Sequence, residues 1–430
     1  MARVTPFHAL RYARPDGDDI SALTAPPYDV IDEARRAELL ARDPHNVVAL
    51  ELPEGPTDPA APGNRYEIAA ARWREWQEEG VLVRDRAPAL YVIEQRFKSG
   101  SEERSRRAFV AAVALEPFSA GVVLPHELTL PKAIDDRLNI TRATAANLSP
   151  VLGLFDDEGH RADALLAKVA GLPPIARCAD DDGVLSLLWA LTDPADHAAF
   201  ADLLGGRAII IADGHHRYST ALVYRDERRA TASAVSGGNA AYDRVMMALV
   251  SLDDPGLAVS PTHRVADASG PFDVEAFWTA LEGHFALSEL PAGHPAGALS
   301  SAAGPTFMVR TRGGTTRIAS LRNDVSHGRR FPADASKEWR ALDTAVLQEL
   351  VLRPLLDIHP ERPETLDRLS YTKDAHEALA AASSHDVVFI MNPTPIAQVS
   401  ELALSGEMMP QKSTYFAPKL PSGLLFRSLD

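Results

Sequence analysis

Apolar positions along this chain come in short blocks whose length and spacing suit the strands and helices of a mixed fold. Asp32 to Ala41 and Tyr66 to Glu79 carry helical patterns, and the second sets Trp73 and Trp76 on one face, where they serve a core better than a ligand platform. Leu90 to Phe97 and Ala108 to Leu115 read as strands, joined through Lys-Ser-Gly-Ser into a hairpin. The helix-prone stretch Pro131 to Ala146 then leads to Val151-Leu152-Gly153-Leu154-Phe155, a buried-strand pattern. Ala208 to Ala212 is a second such run, and Tyr218 to Arg229, free of Gly and Pro, predicts a helix behind it. Further on, Phe307 to Val309 and Thr316 to Leu321 suggest another hairpin, Thr344 to Leu352 a helix and Asp386 to Met391 an apolar strand. Strands and helices mixed in this order imply an α/β (α+β) multidomain fold. Gly- and Pro-rich stretches around 267–273 and 290–306 put a boundary near residue 270, so the expected division is an N-terminal α+β region (1–120), a central domain (121–268) and a C-terminal α+β domain (269–430).

With 430 residues, 46% of them hydrophobic, the chain has core enough for two or three domains. It contains no apolar run of membrane-spanning length and its first residues lack a signal-peptide pattern, so a cytoplasmic protein without a membrane partner is expected. The lone Cys178 cannot form an internal disulfide and reads as structural. Forty-four basic residues against 59 acidic ones give a formal charge of −15, which disfavours nucleic acid as a partner. Arg104, Arg106 and Arg107 are either an anion-binding cluster or a solvated hairpin face.

The densest chemistry lies between the Ala208 strand and the helix that follows, where the chain reads Asp213-Gly214-His215-His216-Arg217-Tyr218. A helix start presents unpaired N–H groups and the positive end of the helix dipole, and Gly214 allows close approach of the backbone, so the turn suits a phosphate. His215, His216, Arg217 and, one turn on, Thr220 add donors. Asp213 is placed to touch a magnesium ion or a substrate. The alternative is that Asp213 caps the helix while the His pair fills a polar gap. A second group is Leu124-Pro125-His126-Glu127, in which Glu127 can act as a general base or His126 and Glu127 can simply mark a helix entry. Pro261-Thr262-His263-Arg264, read as a strand-end loop, offers a hydroxyl, an imidazole and a guanidinium: Arg264 as an anion clamp, His263 as either site or structure. Lys412, Ser413 and Thr414 make the segment from Pro410 to Phe416 either a phosphate-friendly closing element or an exposed turn. Adjacent His215 and His216 cannot form a zinc-protease pair. The chain also lacks a Cys cluster, a Gly-x-Ser-x-Gly elbow, a Walker A sequence and a dinucleotide fingerprint.

The Asp213 box resembles the phosphate-binding box of the ParB/sulfiredoxin superfamily, in the form found in free-serine kinases. It lacks the Cys of the sulfiredoxin version. Those kinases carry a similar Pro-His-Glu segment upstream, whose Glu acts as the base, and here His126-Glu127 precedes the box in the same order. Over nearly its whole length the chain also resembles the DUF1015 family, through Ala25-Pro26-Pro27-Tyr28-Asp29-Val30-Ile31, Asn46-Val47-Val48 with Glu51-Leu52-Pro53, Leu124-Pro125-His126-Glu127, the Asp213 box, Pro261-Thr262-His263-Arg264, Asn392-Pro393-Thr394-Pro395 and the segment from Met409 to Phe416. The resemblance implies a central ParB/sulfiredoxin-like domain with a mixed sheet. It also implies a phosphotransferase acting on a small hydroxyl compound, free serine first among them, with Mg²⁺ and ATP, ADP or pyrophosphate as donor. Glu127, Asp213 and His216 would be catalytic. Gly214, His215, Arg217, Thr220, Lys412, Ser413 and Thr414 would hold the donor, and His126, Thr262, His263 and Arg264 the substrate. The competing expectation is a ParB-like switch that binds CTP or ATP without kinase activity; a third is a metabolite-binding protein without catalysis.

Overall fold

The apolar run before the Asp213 box forms strand Ile209–Asp213, which lies inside a nine-stranded mixed sheet. The computed structural model describes residues 2–127, 131–231, 239–290, 299, 304–328 and 330–430. By its internal contacts the chain divides into two units, one of Met1–Pro125, Thr129–Leu257 and Pro418–Asp430, the other of His126–Leu128 and Ala258–Ala417.

In the first unit the sheet runs in the order Val123–Leu124, Ile209–Asp213, Val151–Phe155, Arg244–Ser251, Glu102–Ala114, Leu90–Ser99, Leu185–Leu191 and Ala176–Ala179, with Val4–Thr5 also paired to Glu102–Ala114. Ile209–Asp213 is parallel to Val123–Leu124, and Arg244–Ser251 is parallel to Val151–Phe155; the remaining pairs are antiparallel. The fold is therefore α/β with a large mixed sheet, as the alternation of elements implied. One face of the sheet packs on a core in which Phe109, Phe155 and Phe200 meet, the first and last with ring centroids 4.4 Å apart. Helix Arg65–Glu78 is capped by Asn64, whose side chain accepts the N–H groups of Tyr66 and Glu67. Its Trp73 and Trp76 are buried, as the shared face predicted, against Phe426 and Tyr12.

Of the three hairpin arginines, Arg107 is exposed and Arg104 half-exposed, as a solvated face would have them, whereas Arg106 is turned inward. Arg106 is 1% exposed and donates to the side-chain oxygen of Gln95 and the carbonyl of Pro418, while Gln95 donates to the Lys419 carbonyl. Burial lowers the Arg106 guanidinium to about 10, and Asp254 and Asp213 act against that fall. A charge placed among carbonyls in this way pins the segment from Pro418 onward to the sheet.

The second unit is built on a six-stranded antiparallel sheet in the order Phe285–Glu289, Thr316–Leu321, Thr306–Thr311, Val387–Ile390, His263–Ala266 and Leu369–Thr372. His263 and Arg264 thus lie within a strand and not in the loop that Pro261 suggested. Ala258–Ser260 pairs separately with Tyr415–Ala417. The helix predicted over Thr344 to Leu352 begins as Asp343–Leu347, widens into a π turn over Gln348–Leu352 and resumes at Arg353–Leu356. Pro354 has no N–H to offer the carbonyl one turn back, which favours such a widening.

Gly153 sits where Val151–Phe155 passes between two strands, and a Cβ there would lie 2.7 Å from Ile209 Cγ2 and 2.9 Å from Met247 Sδ. Gly153→Ala should therefore cost about 1–3 kcal/mol of stability through overpacking. Urea denaturation checks this, and an unchanged midpoint would contradict it.

Candidate functional site

In the first unit the register of Ile209–Asp213 shifts between Ile211 and Asp213, which turns the Asp213 side chain out of the regular ladder. Gly214 follows at φ +89°, a conformation that favours glycine, and helix His215–Thr231 starts at once. His215, His216 and Arg217 therefore belong to the first helical turn. A Cβ on Gly214 would lie 2.9 Å from Arg217 Nε, so the glycine also makes room for the arginine to fold back over the turn.

Folded back, Arg217 donates to Asp213 Oδ2 and to the Pro150 carbonyl, while Lys419 donates to Asp213 Oδ1. The side chains of Asp213, Arg217 and Lys419 are 15%, 13% and 16% exposed, which places this three-membered ion cluster largely out of water. Burial by itself raises the Asp213 carboxyl; Lys419 and Arg217 overcome it and hold the group far below the ordinary carboxylate range. With a cation on each oxygen, Asp213 does not fit the magnesium-ligand role expected for it. Among the described residues no group of three or more His, Cys, Asp or Glu is arranged to hold a metal ion. His215 is buried, His216 half-buried, and Thr220 is buried with its hydroxyl on the Ile134 carbonyl at 3.4 Å.

A pocket of mixed polar and apolar lining adjoins Arg217 in the same unit, about 490 Å³ with its open mouth included. Tyr28, Glu51, Arg137, Asn147, Ser149 and Arg217 supply its polar wall. The Arg137 guanidinium carbon stands 4.0 Å from the centre of the Tyr28 ring, and one Arg137 nitrogen donates to the Glu51 carbonyl at 3.0 Å.

The remaining candidates form a group within the second unit. Thr414 donates to Glu127 Oε1 through its N–H (3.3 Å) and its hydroxyl (3.2 Å), and His126 Nε2 lies 2.9 Å from that hydroxyl. Because the hydroxyl hydrogen points at the carboxylate, the hydroxyl oxygen is left to accept a proton from His126 Nε2. Among the described residues no hydrogen bond reaches the other oxygen of Glu127. Thr344 and Ser413 share a hydrogen bond (2.9 Å), and Ser413 is buried. Arg264 is 3% exposed and donates to the carbonyls of Thr262 and Lys412, with its guanidinium carbon 5.6 Å from the Tyr371 ring centre. Lys412 thus contributes its carbonyl, from a residue at φ +58°, while its side chain is exposed. Thr262 is buried beside it.

Among the residues of these sites not assigned from sequence are Lys419, Glu51 and Arg137. Glu51 falls in a motif quoted above, whereas Lys419 and Arg137 have no local signal, since what marks them is a partner distant in the chain.

A family model described as "Protein of unknown function (DUF1015)" matches residues 4–345. A search of curated proteins found no match. Among solved structures, the chain is similar to a conserved hypothetical protein from Pyrococcus furiosus, at 14% identity and TM-score 0.36, over 73% of this chain and 93% of that one. It is similar to a free serine kinase variant in complex with ADP at 13% identity and TM-score 0.36, over 72% and 87%. A third is SbnI with C-terminal truncation from Staphylococcus aureus, at 11% identity and TM-score 0.35, over 74% and 86%. Among the described residues no helix is long and apolar enough to cross a membrane.

His263 is 2% exposed, and its Nδ1 accepts the N–H of Met391 at 3.1 Å, so the ring is held neutral. Burial, with Arg264 adding to it, lowers the imidazolium to about 4 from an ordinary 6.5. The unfolded chain therefore binds the proton first, and stability present above about pH 6.5 is lost as the pH falls towards 4. Chemical denaturation across that range should show this loss, and His263→Asn should flatten its share of the slope; an equal slope in the variant would exclude the assignment.

Proposed function

Starting from a chain that belongs to the DUF1015 family, we propose that it is a phosphotransferase moving a phosphoryl group from a nucleotide or pyrophosphate to a small hydroxyl compound, free L-serine in the first instance. The observation that carries this reading is the Asp213 cluster. Lys419 and Arg217 converge on one carboxylate beside the first turn of helix His215–Thr231. Cations fixed before a ligand arrives, next to helix N–H groups, form a preorganised anion site that needs little rearrangement. In this reading Gly214, His215, His216, Arg217 and Lys419 receive the donor phosphates. Asp213 is a positioning residue that keeps the two cations in place.

The proton-accepting role is assigned to Glu127 on the geometry of its own unit. A carboxylate held through Oε1 by Thr414 is oriented, and its second oxygen remains to take a proton. His126, behind the Thr414 hydroxyl, fixes that orientation. In the step itself the acceptor oxygen bonds to the terminal phosphorus, the bridging P–O bond breaks, the leaving phosphate keeps the electron pair, and the hydroxyl proton passes to Glu127. Serine as acceptor is supported by the resemblance of the two boxes to those of free-serine kinases.

Two variants separate the roles. Glu127→Gln should lower turnover by at least about 100-fold, read as O-phosphoserine by ³¹P NMR with serine and ATP, ADP or pyrophosphate, while pyrophosphate binding by calorimetry stays close to wild type. Lys419→Met should do the reverse, weakening donor binding about tenfold or more through loss of a charge-assisted contact. Retained turnover in the first variant removes Glu127 as the base, and unchanged pyrophosphate affinity in the second removes Lys419 from the donor site.

A further inference from the structure

The pocket beside Arg217 has a charge pattern that a phosphate site alone does not need. Arg137 and Arg217 line it, but so does Glu51, a residue only 2% exposed whose negative charge is felt by Arg217 and Tyr28. Glu51 Oε2 accepts the Ser422 hydroxyl at 2.9 Å, and among the described residues no hydrogen bond reaches Oε1. Asp136 and Asp213 already neutralise the outer edges of the two arginines. Each guanidinium still keeps N–H donors that those contacts leave unused. Neutral groups fill the gaps: the Tyr28 hydroxyl has no hydrogen-bond partner among the described residues, nor do the Ser149 hydroxyl and the Asn147 amide nitrogen. Burial raises the Tyr28 phenol to about 12, so it stays a hydroxyl at ordinary pH.

Buried charge demands a partner, and here both signs are exposed to one small space. A simple anion would face Glu51, and a simple cation would face Arg137 and Arg217. We infer that the pocket is a subsite for a small zwitterion of the α-amino-acid class, with Glu51 Oε1 receiving the ammonium group and Arg137 and Arg217 facing the carboxylate. The inference rests on the phosphotransfer reading for its role, since it makes this the place where a hydroxy amino acid is recognised. It names Glu51, Arg137 and Tyr28 as residues that set acceptor specificity. Ser422, which holds Glu51 through one oxygen, becomes a positioning residue.

The test compares ligands that differ by one charged group, using the whole chain. Isothermal calorimetry with L-serine, L-alanine, 3-hydroxypropanoate (no ammonium), ethanolamine (no carboxylate) and inorganic phosphate should give binding of both amino acids. The two single-charge analogues should bind at least about tenfold more weakly, because each leaves hydrogen-bonding groups of the pocket unmet. Glu51→Gln should weaken L-serine about tenfold or more while leaving 3-hydroxypropanoate unchanged, so that the discrimination between them collapses; a merely structural role would weaken both alike. The wild-type ligand series decides the matter without any variant, and Ser422→Ala provides a milder second perturbation of Glu51. Equal affinity of wild type for L-serine and 3-hydroxypropanoate, no binding of either amino acid, or an equal loss for both ligands in Glu51→Gln would overturn the inference. Formation of O-phosphoserine without the discrimination would leave phosphotransfer standing and remove the subsite; amino-acid binding with no phosphorylated product in any donor mixture would do the opposite.

Discussion

The first unit depends on where the Asp213 carboxylate sends its charge. It has left water at the end of a buried strand, and it is tolerable there because one oxygen meets Lys419 and the other Arg217. Each cation is in turn positioned by the backbone around it, Arg217 by the Pro150 carbonyl and by the space over Gly214, Lys419 by a segment whose carbonyls are held by Arg106 and Gln95. Such a cluster contributes little net stability against an apolar replacement of the same shape, yet removing one member leaves the others charged and buried, at a cost of about 3–5 kcal/mol. A cluster of this kind makes more sense as positioning than as glue. That is why the cluster, rather than the length of the apolar core, carries the functional reading.

Both units use polar groups inside to fix segments that secondary structure alone would leave loose. Arg106 holds Pro418 in the first unit, and Arg264 holds Thr262 and Lys412 in the second. In each case a guanidinium serves backbone carbonyls, a use for which its several donors suit it better than a lysine ammonium. The hydroxyls of Ser413, Thr344 and Thr394 do similar work around the Pro410 turn. The segment from Met409 to Phe416, read from sequence as either phosphate-binding or an exposed turn, has its chemistry turned largely inward: Ser413 is buried, Thr414 serves Glu127, and Lys412 gives its carbonyl to Arg264.

Much of the fold was legible because its signals are local. The strand Val151–Phe155 and the hairpin Leu90–Ser99 with Glu102–Ala114 follow from periodicity and turn residues, as does the helix expected from Tyr218, which opens three residues earlier at His215. What could not be read is whatever depends on a distant partner. Arg106 looks like a surface charge until Gln95 and Pro418 are beside it, and Pro261 suggests a loop because the strands that flank His263–Ala266 come from beyond residue 368. The Asp213 box was found through its residue types, but a sequence gives no hint that both of its carboxylate oxygens are taken by cations, nor that one of those cations is Lys419. Glu51 was visible only as part of a motif. Its meaning comes from sharing a pocket wall with Arg137 and Arg217.

The division of the chain also bears on how the protein is made. The first unit is built from three stretches, and the third, Pro418–Asp430, is synthesised only after all of Ala258–Ala417. Lys419, Ser422 and Phe426 are therefore missing while the ribosome is still extending the second unit, so Asp213, Glu51 and the Trp73 face spend that interval without their partners. A nascent chain in this state has Arg217 available to Asp213 but lacks the second cation and the aromatic cover of Trp73. The first unit can therefore be completed only after the second has been synthesised, when its third stretch is available to pair with the other two.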